Sequence, residues 1–198
     1  MKTIAPDIQQ WSFFSPEKQL DFNGLFLTIN DHCILVDPPP METADRTAIL
    51  KGRAVDYILL TNRDHVREAE VCRREFKAKV YAPEADAPLM EIPIDKTYKD
   101  GELLPGGLWA IHLKDMKSPG ESALYLDRGK GCLILGDSLI GKPPGQLNLL
   151  TADKFADIAK ARESLARLLK YKFDTVLVGD GASILTGGKE AVRRAIEG

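Results

Sequence analysis

The chain has 198 residues, of which 44% are hydrophobic and 28% are charged, and its formal net charge is −2. This composition is typical of a globular protein, and it contains neither the basic stripe expected of a nucleic-acid partner nor an apolar run of membrane-spanning length. Cys33, Cys72 and Cys132 show no CxxC spacing, which favours reduced thiols. We therefore expect one cytoplasmic domain over residues 1–198, with no nucleic-acid or membrane partner.

The first half of the sequence predicts strands that alternate with short helices. No regular element is predicted before "GLFLTINDHCILVDPPP", which indicates strands over residues 25–29 and 33–36 joined by an Asn30-Asp31 turn. A helix near residues 42–51, the apolar strand "VDYILL", helical spacing over residues 65–76 and the strand "AKVYAPE" follow.

The second half contains more strands broken by glycine, which favours an antiparallel or mixed sheet. These segments are "GELLPGGLWAIHL", "SALYLD" and "GCLILGDSLIG". Apolar residues at helical spacing then predict one long helix over residues 152–171, before the buried strand "DTVLVGDG" and a final helix in "GGKEAVRRAIEG".

Acidic residues follow four of the predicted apolar strands directly. A carboxylate in this position is unfavourable unless it is paired, hydrogen-bonded or bound to a metal. Asp37 precedes three prolines and is best interpreted as a turn residue. Together, the four strand ends favour one convergent site, and they are occupied by Asp37, the pair Asp64-His65, Asp137 and Asp180.

In order, the segments "GLFLTINDHCILVDPP", "ILLTNRDHVREA", "HLKDMKSPGESALYL", "LILGDSLIG" and "VLVGDGASIL" resemble the landmarks of the metallo-β-lactamase superfamily. The resemblance extends from about residue 24 to 188. It implies an α+β fold, a four-layer αββα sandwich with a metal site at one edge between the two sheets.

The metal-binding motif of this superfamily is degenerate in the chain. The family pattern Thr-His-x-His-x-Asp-His corresponds to "TNRDH", which we align with two residues deleted so that Asp64-His65 is the Asp-His pair. In the family, a histidine precedes a Thr-Pro-Gly-like turn, whereas in this chain the turn is Ser-Pro-Gly and the residue before it is Lys117. Asp180 stands where the family has its last histidine. The two-zinc site needs about five histidines, whereas the chain has three. The resemblance therefore leaves at most a mononuclear site, with Asp64, His65, Asp137 and Asp180 as ligands.

Two main hypotheses follow from these substitutions, beside a weaker third in which Lys117 and Arg63 bind an anionic small molecule in the same cleft. In the first, one divalent ion (Zn, Mn or Fe) supports hydrolysis of an ester, thioester or amide. Asp64 and Lys117 are then catalytic, and Asn62 and Arg63 bind the small-molecule substrate. In the second, Lys117 neutralises Asp137 and Asp180 without a metal ion, and the chain is a non-catalytic binding or scaffolding domain.

Alternative interpretations of single residues also remain open. Asn62 is also suited to capping a turn with its side chain. Arg63 and Arg67 are also compatible with solvated surface charges, which is the favoured interpretation of Arg67. A homodimer is compatible with the sequence, which contains no exposed apolar stripe that demands one.

Overall fold

The computed structural model describes residues 1–52 and 54–198 and contains two β-sheets. The first sheet has seven strands in the order β1 to β7, and the second has five in the order β12-β11-β10-β9-β8. The strands are β1 Lys2–Ala5, β2 Ile8–Ser15, β3 Leu20–Ile29, β4 His32–Val36, β5 Tyr57–Leu59, β6 Lys79–Pro83, β7 Lys96–Tyr98, β8 Leu103–Leu104, β9 Leu108–His112, β10 Ser122–Leu126, β11 Cys132–Leu135 and β12 Thr175–Val178.

In the part of the chain that the structure describes, four α-helices cover the outer faces of the sheets. They are α1 Thr43–Lys51, α2 Ala69–Phe76, α3 Ile158–Ala166 and α4 Gly188–Glu197. The helices α1 and α2 contribute buried residues to the apolar cluster on the outer face of the first sheet, and α3 and α4 contribute to the cluster on the second. No helix of the described chain is long and apolar enough to cross a membrane.

A third apolar cluster lies between the sheets and completes the sandwich. Side-chain alternation along β3 directs Leu25 and Leu27 into this inner cluster, whereas Phe26 lies in the outer one. On the facing sheet, Leu124 and Ile134 point inward in the same way. The layers are therefore helix, sheet, sheet and helix, which confirms the predicted αββα arrangement.

The N-terminal segment is regular, contrary to the prediction. Strand β2 pairs with β3 along its whole length, from the pair Ile8–Leu27 to the pair Ser15–Leu20. The predicted strand at residues 25–29 is thus the second half of a longer hairpin strand. The sequence does not predict β2 because its buried and exposed side chains do not alternate. Three consecutive residues, Ser12, Phe13 and Phe14, are exposed.

The predicted helix over residues 152–171 is divided into three parts. Residues 152–154 and 167–170 form 3-10 turns, and only α3 between them is α-helical. Asp157 begins α3, because its side chain accepts hydrogen bonds from the backbone amides of Ala159 (3.0 Å) and Lys160 (3.2 Å). The apolar spacing is correct for packing on the sheet, but this cap sets the start of the helix.

Candidate functional site

The predicted residues come together at one edge of the sandwich. Strand β4 runs parallel to β5, and β11 runs parallel to β12, so each pair ends at the same edge of its sheet. Asp37 follows β4, the turn with Asp64 and His65 follows β5, Asp137 follows β11 and Asp180 follows β12. Backbone bonds join the two edges, since the amide of Asn23 donates to the carbonyl of Gly179 at 2.7 Å.

Asn62 caps the short 3-10 turn at residues 63–65. Its backbone is extended, and its side-chain oxygen accepts from the amides of Asp64 (2.8 Å) and His65 (3.1 Å). Its side-chain nitrogen donates to Glu121 Oε2 at 2.8 Å, and the residue is 0% exposed. Because the amide is engaged and buried, it presents no surface to a substrate, and the geometry supports the capping interpretation.

His65 lies in the interior between two carboxylates. Its Nδ1 is 2.8 Å from Asp37 Oδ2, and its Nε2 is 3.5 Å from Asp137 Oδ1. Burial and the charge of Arg67 oppose protonation, but the carboxylates of Asp37 and Asp137 outweigh them and raise the pKa of His65 to about 10. Asp37 also accepts from the amide of Thr61, just beyond the neighbouring strand β5, so its side chain serves His65 and the adjacent strand end rather than its own turn.

Gly179 makes room for the His65 ring at this edge. A Cβ atom on Gly179 would lie 2.4 Å from His65 Cε1, closer than real Cβ contacts allow. The backbone at the end of β12 therefore packs directly on the imidazole, and only glycine permits this approach.

Lys117 bridges two carboxylates across the mouth of the site. Its Nζ is 2.7 Å from Asp137 Oδ2 and 3.0 Å from Asp64 Oδ2. Burial opposes the charge, but Asp137 and Asp64 raise the pKa of Lys117. Burial likewise opposes ionisation of Asp137, which His65 and Lys117 overcome, so the pKa of Asp137 is lowered. The predicted pairing of Lys117 with Asp137 is present, whereas Asp180 has a different partner.

That partner is Arg67, whose position differs from the predicted solvated surface charge. Its side chain is only 9% exposed. Nη2 donates to Asp180 Oδ1, and Nη1 donates to the carbonyl of Asn23 at 3.1 Å. The guanidinium also lies 4.7 Å from the centre of the Phe22 ring. Burial raises the pKa of Asp180, although His65 and Arg67 oppose that shift. A positive φ of 41° at Arg67 accompanies this placement of its side chain.

Three of the four predicted metal ligands form a compact group. One ligand atom from each of His65, Asp137 and Asp180 lies within 4.8 Å of the others. Asp64 is outside this group, and its half-exposed carboxylate is held by Lys117. Arg63 enters the site through its backbone amide, which donates to Asp86 Oδ2 at 2.8 Å.

Two buried carboxylates that the sequence did not indicate as site residues hold the surrounding loops together. Asp86 accepts from the amides of Arg63 and Gly120 and from the hydroxyl of Ser118. Glu121 accepts from the side chain of Asn62 and, at 2.9 Å, from the amide of Ser138. Burial and the charge of Asp137 raise the pKa of Glu121 well above its usual value. The rule that selected the other strand-end acids does not find Asp86, because Glu84 is the acid that follows β6 directly.

Comparison with known proteins identifies the family. The family model described as "Metallo-beta-lactamase superfamily" matches residues 1–197, so the chain belongs to this superfamily. No match was found among curated proteins.

Solved structures share the fold at low sequence identity. A metallo-β-lactamase from Pontibacter korlensis is 16% identical, with a TM-score of 0.76 over 99% of this chain and 97% of that one. A metallo-β-lactamase from Hirschia baltica is 16% identical, with a TM-score of 0.71 over 96% and 91% of the two chains. The protein TTHA1623, determined in a di-iron-bound form, is 25% identical, with a TM-score of 0.71 over 91% and 96%.

Proposed function

We propose that this chain is a non-catalytic binding domain that has kept the superfamily fold and works without a metal ion. One observation carries the proposal: side-chain cations already occupy the groups that would bind the metal. Lys117 lies on Asp137, and Arg67 lies on both Asp180 and His65.

The nitrogen atoms of His65 support this proposal in either protonation state. A metal ligand needs a free lone pair on one ring nitrogen. If the ring is neutral with its proton on Nδ1, that nitrogen donates to Asp37, and Nε2 accepts from Arg67 Nη2 at 3.2 Å. If the ring is protonated, both nitrogens carry N–H groups, and a metal ion would have to displace a proton as well. His65 therefore fits a metal ion only if Arg67 moves away.

The charge balance argues in the same direction. Protonated His65, Arg67 and Lys117 oppose the carboxylates of Asp37, Asp64, Asp137 and Asp180. Two unit charges 4 Å apart interact by roughly 4 kcal/mol at an effective dielectric constant of 20. A divalent ion would be repelled by each nearby cation, and the carboxylates are already close to neutralised.

The family motif can also be aligned with this turn without a deletion, and that alignment gives Arg67 a former histidine position. Without the two-residue deletion, the family pattern Thr-His-x-His-x-Asp-His places Asn62 and Asp64 on the first two histidines and Arg67 on the last. In this alignment Asp64, Lys117, Arg67 and Asp180 all stand where the family has histidines. They form two contacting pairs of an acid and a base, Asp64 with Lys117 and Asp180 with Arg67.

Metal content tests the proposal directly. Untagged protein is incubated with zinc, manganese or iron(II), desalted and measured by elemental analysis, and we expect no stoichiometric metal. The double variant R67H/K117H restores two imidazoles and is expected to take up metal. Lys130→His is the matched control, because Lys130 is exposed and its ion pair, with Asp174 at 3.5 Å, lies away from the site. One equivalent in the unmodified protein that is lost in Asp137→Asn would contradict the proposal.

A single-ion hydrolase is the second candidate, favoured by the compact group of His65, Asp137 and Asp180. An ion held there would supply a polarised water for hydrolysis of an ester, thioester or amide. Under this candidate Arg67 must leave Asp180, Asp64 and Lys117 keep their predicted catalytic roles, and Arg63 keeps its predicted substrate contact. Esterase and thioesterase activity that depends on added metal and disappears in Asp180→Asn would support it.

A further inference from the structure

A cavity of about 700 Å³ lies between α3, α4 and residues 145–150, away from the site described above. Its volume is in the range of cavities that enclose small-molecule ligands. None of the carboxylates or cations of the candidate site lines it. The superfamily site does not account for this cavity.

Apolar side chains form much of the wall. Leu149, Leu150, Ile158 and Ile184 line the cavity and pack against the apolar cluster between the second sheet and its helices. They are only partly buried, since the cavity separates them from further neighbours. An apolar ligand group in this space would remove their remaining surface from water, which is favourable.

Arg162 provides a fixed cation in the same wall. Its Nη1 donates to the carbonyls of Ala195 (3.0 Å) and Ile196 (2.5 Å) in the last turn of α4. Among the described residues, no hydrogen bond is made by its Nε or Nη2, although the backbone of Gly198 packs beside Nη1 and Nη2. This edge of the guanidinium offers two parallel N–H donors, the arrangement that a carboxylate binds with both oxygens. By contrast, Arg194 has its Nε on Glu190 at 3.3 Å.

The lining acid Glu190 pairs with Arg193 and Arg194, so its carboxylate does not neutralise Arg162. We infer that the cavity binds a small amphiphilic monocarboxylate, with its carboxylate on Arg162 and its apolar chain against Leu149, Leu150, Ile158 and Ile184. This inference rests on the proposed binding function and names the ligand class.

Calorimetric titration with decanoate, below its micelle concentration, tests the inference on the full chain. We expect saturable binding of one equivalent, with decanol at least tenfold weaker and decyl phosphate no tighter than decanoate. Arg162→Gln should weaken decanoate at least tenfold and leave decanol unchanged. Arg193→Gln is the control, because Arg193 pairs with Glu190 and does not line the cavity.

The Arg162 side chain also holds the end of α4, so a second variant is needed in case Arg162→Gln does not fold. Ala191→Phe fills the cavity while leaving Arg162 in place, and it should abolish binding of both ligands. Absence of saturable decanoate binding, unchanged affinity in both variants, or tighter binding of decyl phosphate would overturn the inference. Metal content is read separately: stoichiometric metal would reject the proposed function while leaving decanoate binding intact.

Discussion

Lys117 and Arg67 show how single substitutions change what a buried acidic cluster can bind. Asp137 is only 5% exposed and needs a counter-charge to stay ionised. In this chain the counter-charge is an ammonium group of the protein itself. The acids are therefore stabilised by residues that fold with them.

Lys117→Met should destabilise the protein by about 1–3 kcal/mol. It leaves Asp137 without one of its two charged partners, although the partial exposure of Lys117 limits the loss. Urea unfolding measures the effect, and Lys130→Met serves as an exposed control with a change below about 0.5 kcal/mol. Equal effects in the two variants would show that the Lys117 pair is energetically neutral.

Gly179→Ala should destabilise the protein by about 1–3 kcal/mol, because the added methyl group overlaps the buried His65 ring. A double-mutant cycle isolates this contact. In a His65→Ala background the ring is gone, and Gly179→Ala should then have little effect. Urea unfolding of the four proteins measures the coupling. Additive effects would mean that the strain arises elsewhere on the backbone.

Among the secondary-structure elements, the sequence predicts the strands well where every residue of the strand is apolar. Strands such as β5 and β11 are continuous apolar runs, and the Asn30-Asp31 turn was recognised from its residue types. Strand β2 was missed because its exposed residues break the alternating pattern, and the long predicted helix was wrong because Asp157 caps a new start.

The site divides in the same way between predictable and unpredictable parts. His65, Asp137 and Asp180 could be found because each follows an apolar strand, and Lys117 because it replaces a histidine of the family. The alignment without the deletion puts Arg67 on the last histidine of the motif, but its orientation could not be predicted, since it depends on a positive φ and on Phe22 from a distant hairpin. Nothing in the local sequence records either feature.

Asp86 connects two of the site loops, so its loss should loosen both. Asp86→Ala leaves buried donors of the residue 63–65 turn and the residue 118–120 loop without an acceptor, which should cost about 2–4 kcal/mol. Hydrogen exchange should accelerate at the amides of Arg63 and Gly120. Asp153→Ala, at an exposed position, is the control. Unchanged exchange at both amides would show that other contacts fix these loops.

For the whole molecule, the free energy of unfolding depends on metal concentration only if a bound metal ion, rather than a side chain, neutralises the buried carboxylates. A bound metal stabilises the folded state by RT ln(1 + [L]/Kd), about 2.7 kcal/mol at a hundredfold excess over Kd. Cations that belong to the chain contribute independently of any solute. Two proteins with the same fold can therefore differ in their dependence on metal concentration.

The melting temperature of this protein should accordingly be the same in chelator, in buffer and in excess zinc. Arg67 and Lys117 remain at the carboxylates under all three conditions, so no binding equilibrium contributes to folding. Differential scanning calorimetry checks this, with R67H/K117H as the comparison that should melt higher in zinc than in chelator. A fall in the melting temperature of the unmodified protein on chelation would contradict the built-in counter-charge and favour the single-ion site of His65, Asp137 and Asp180.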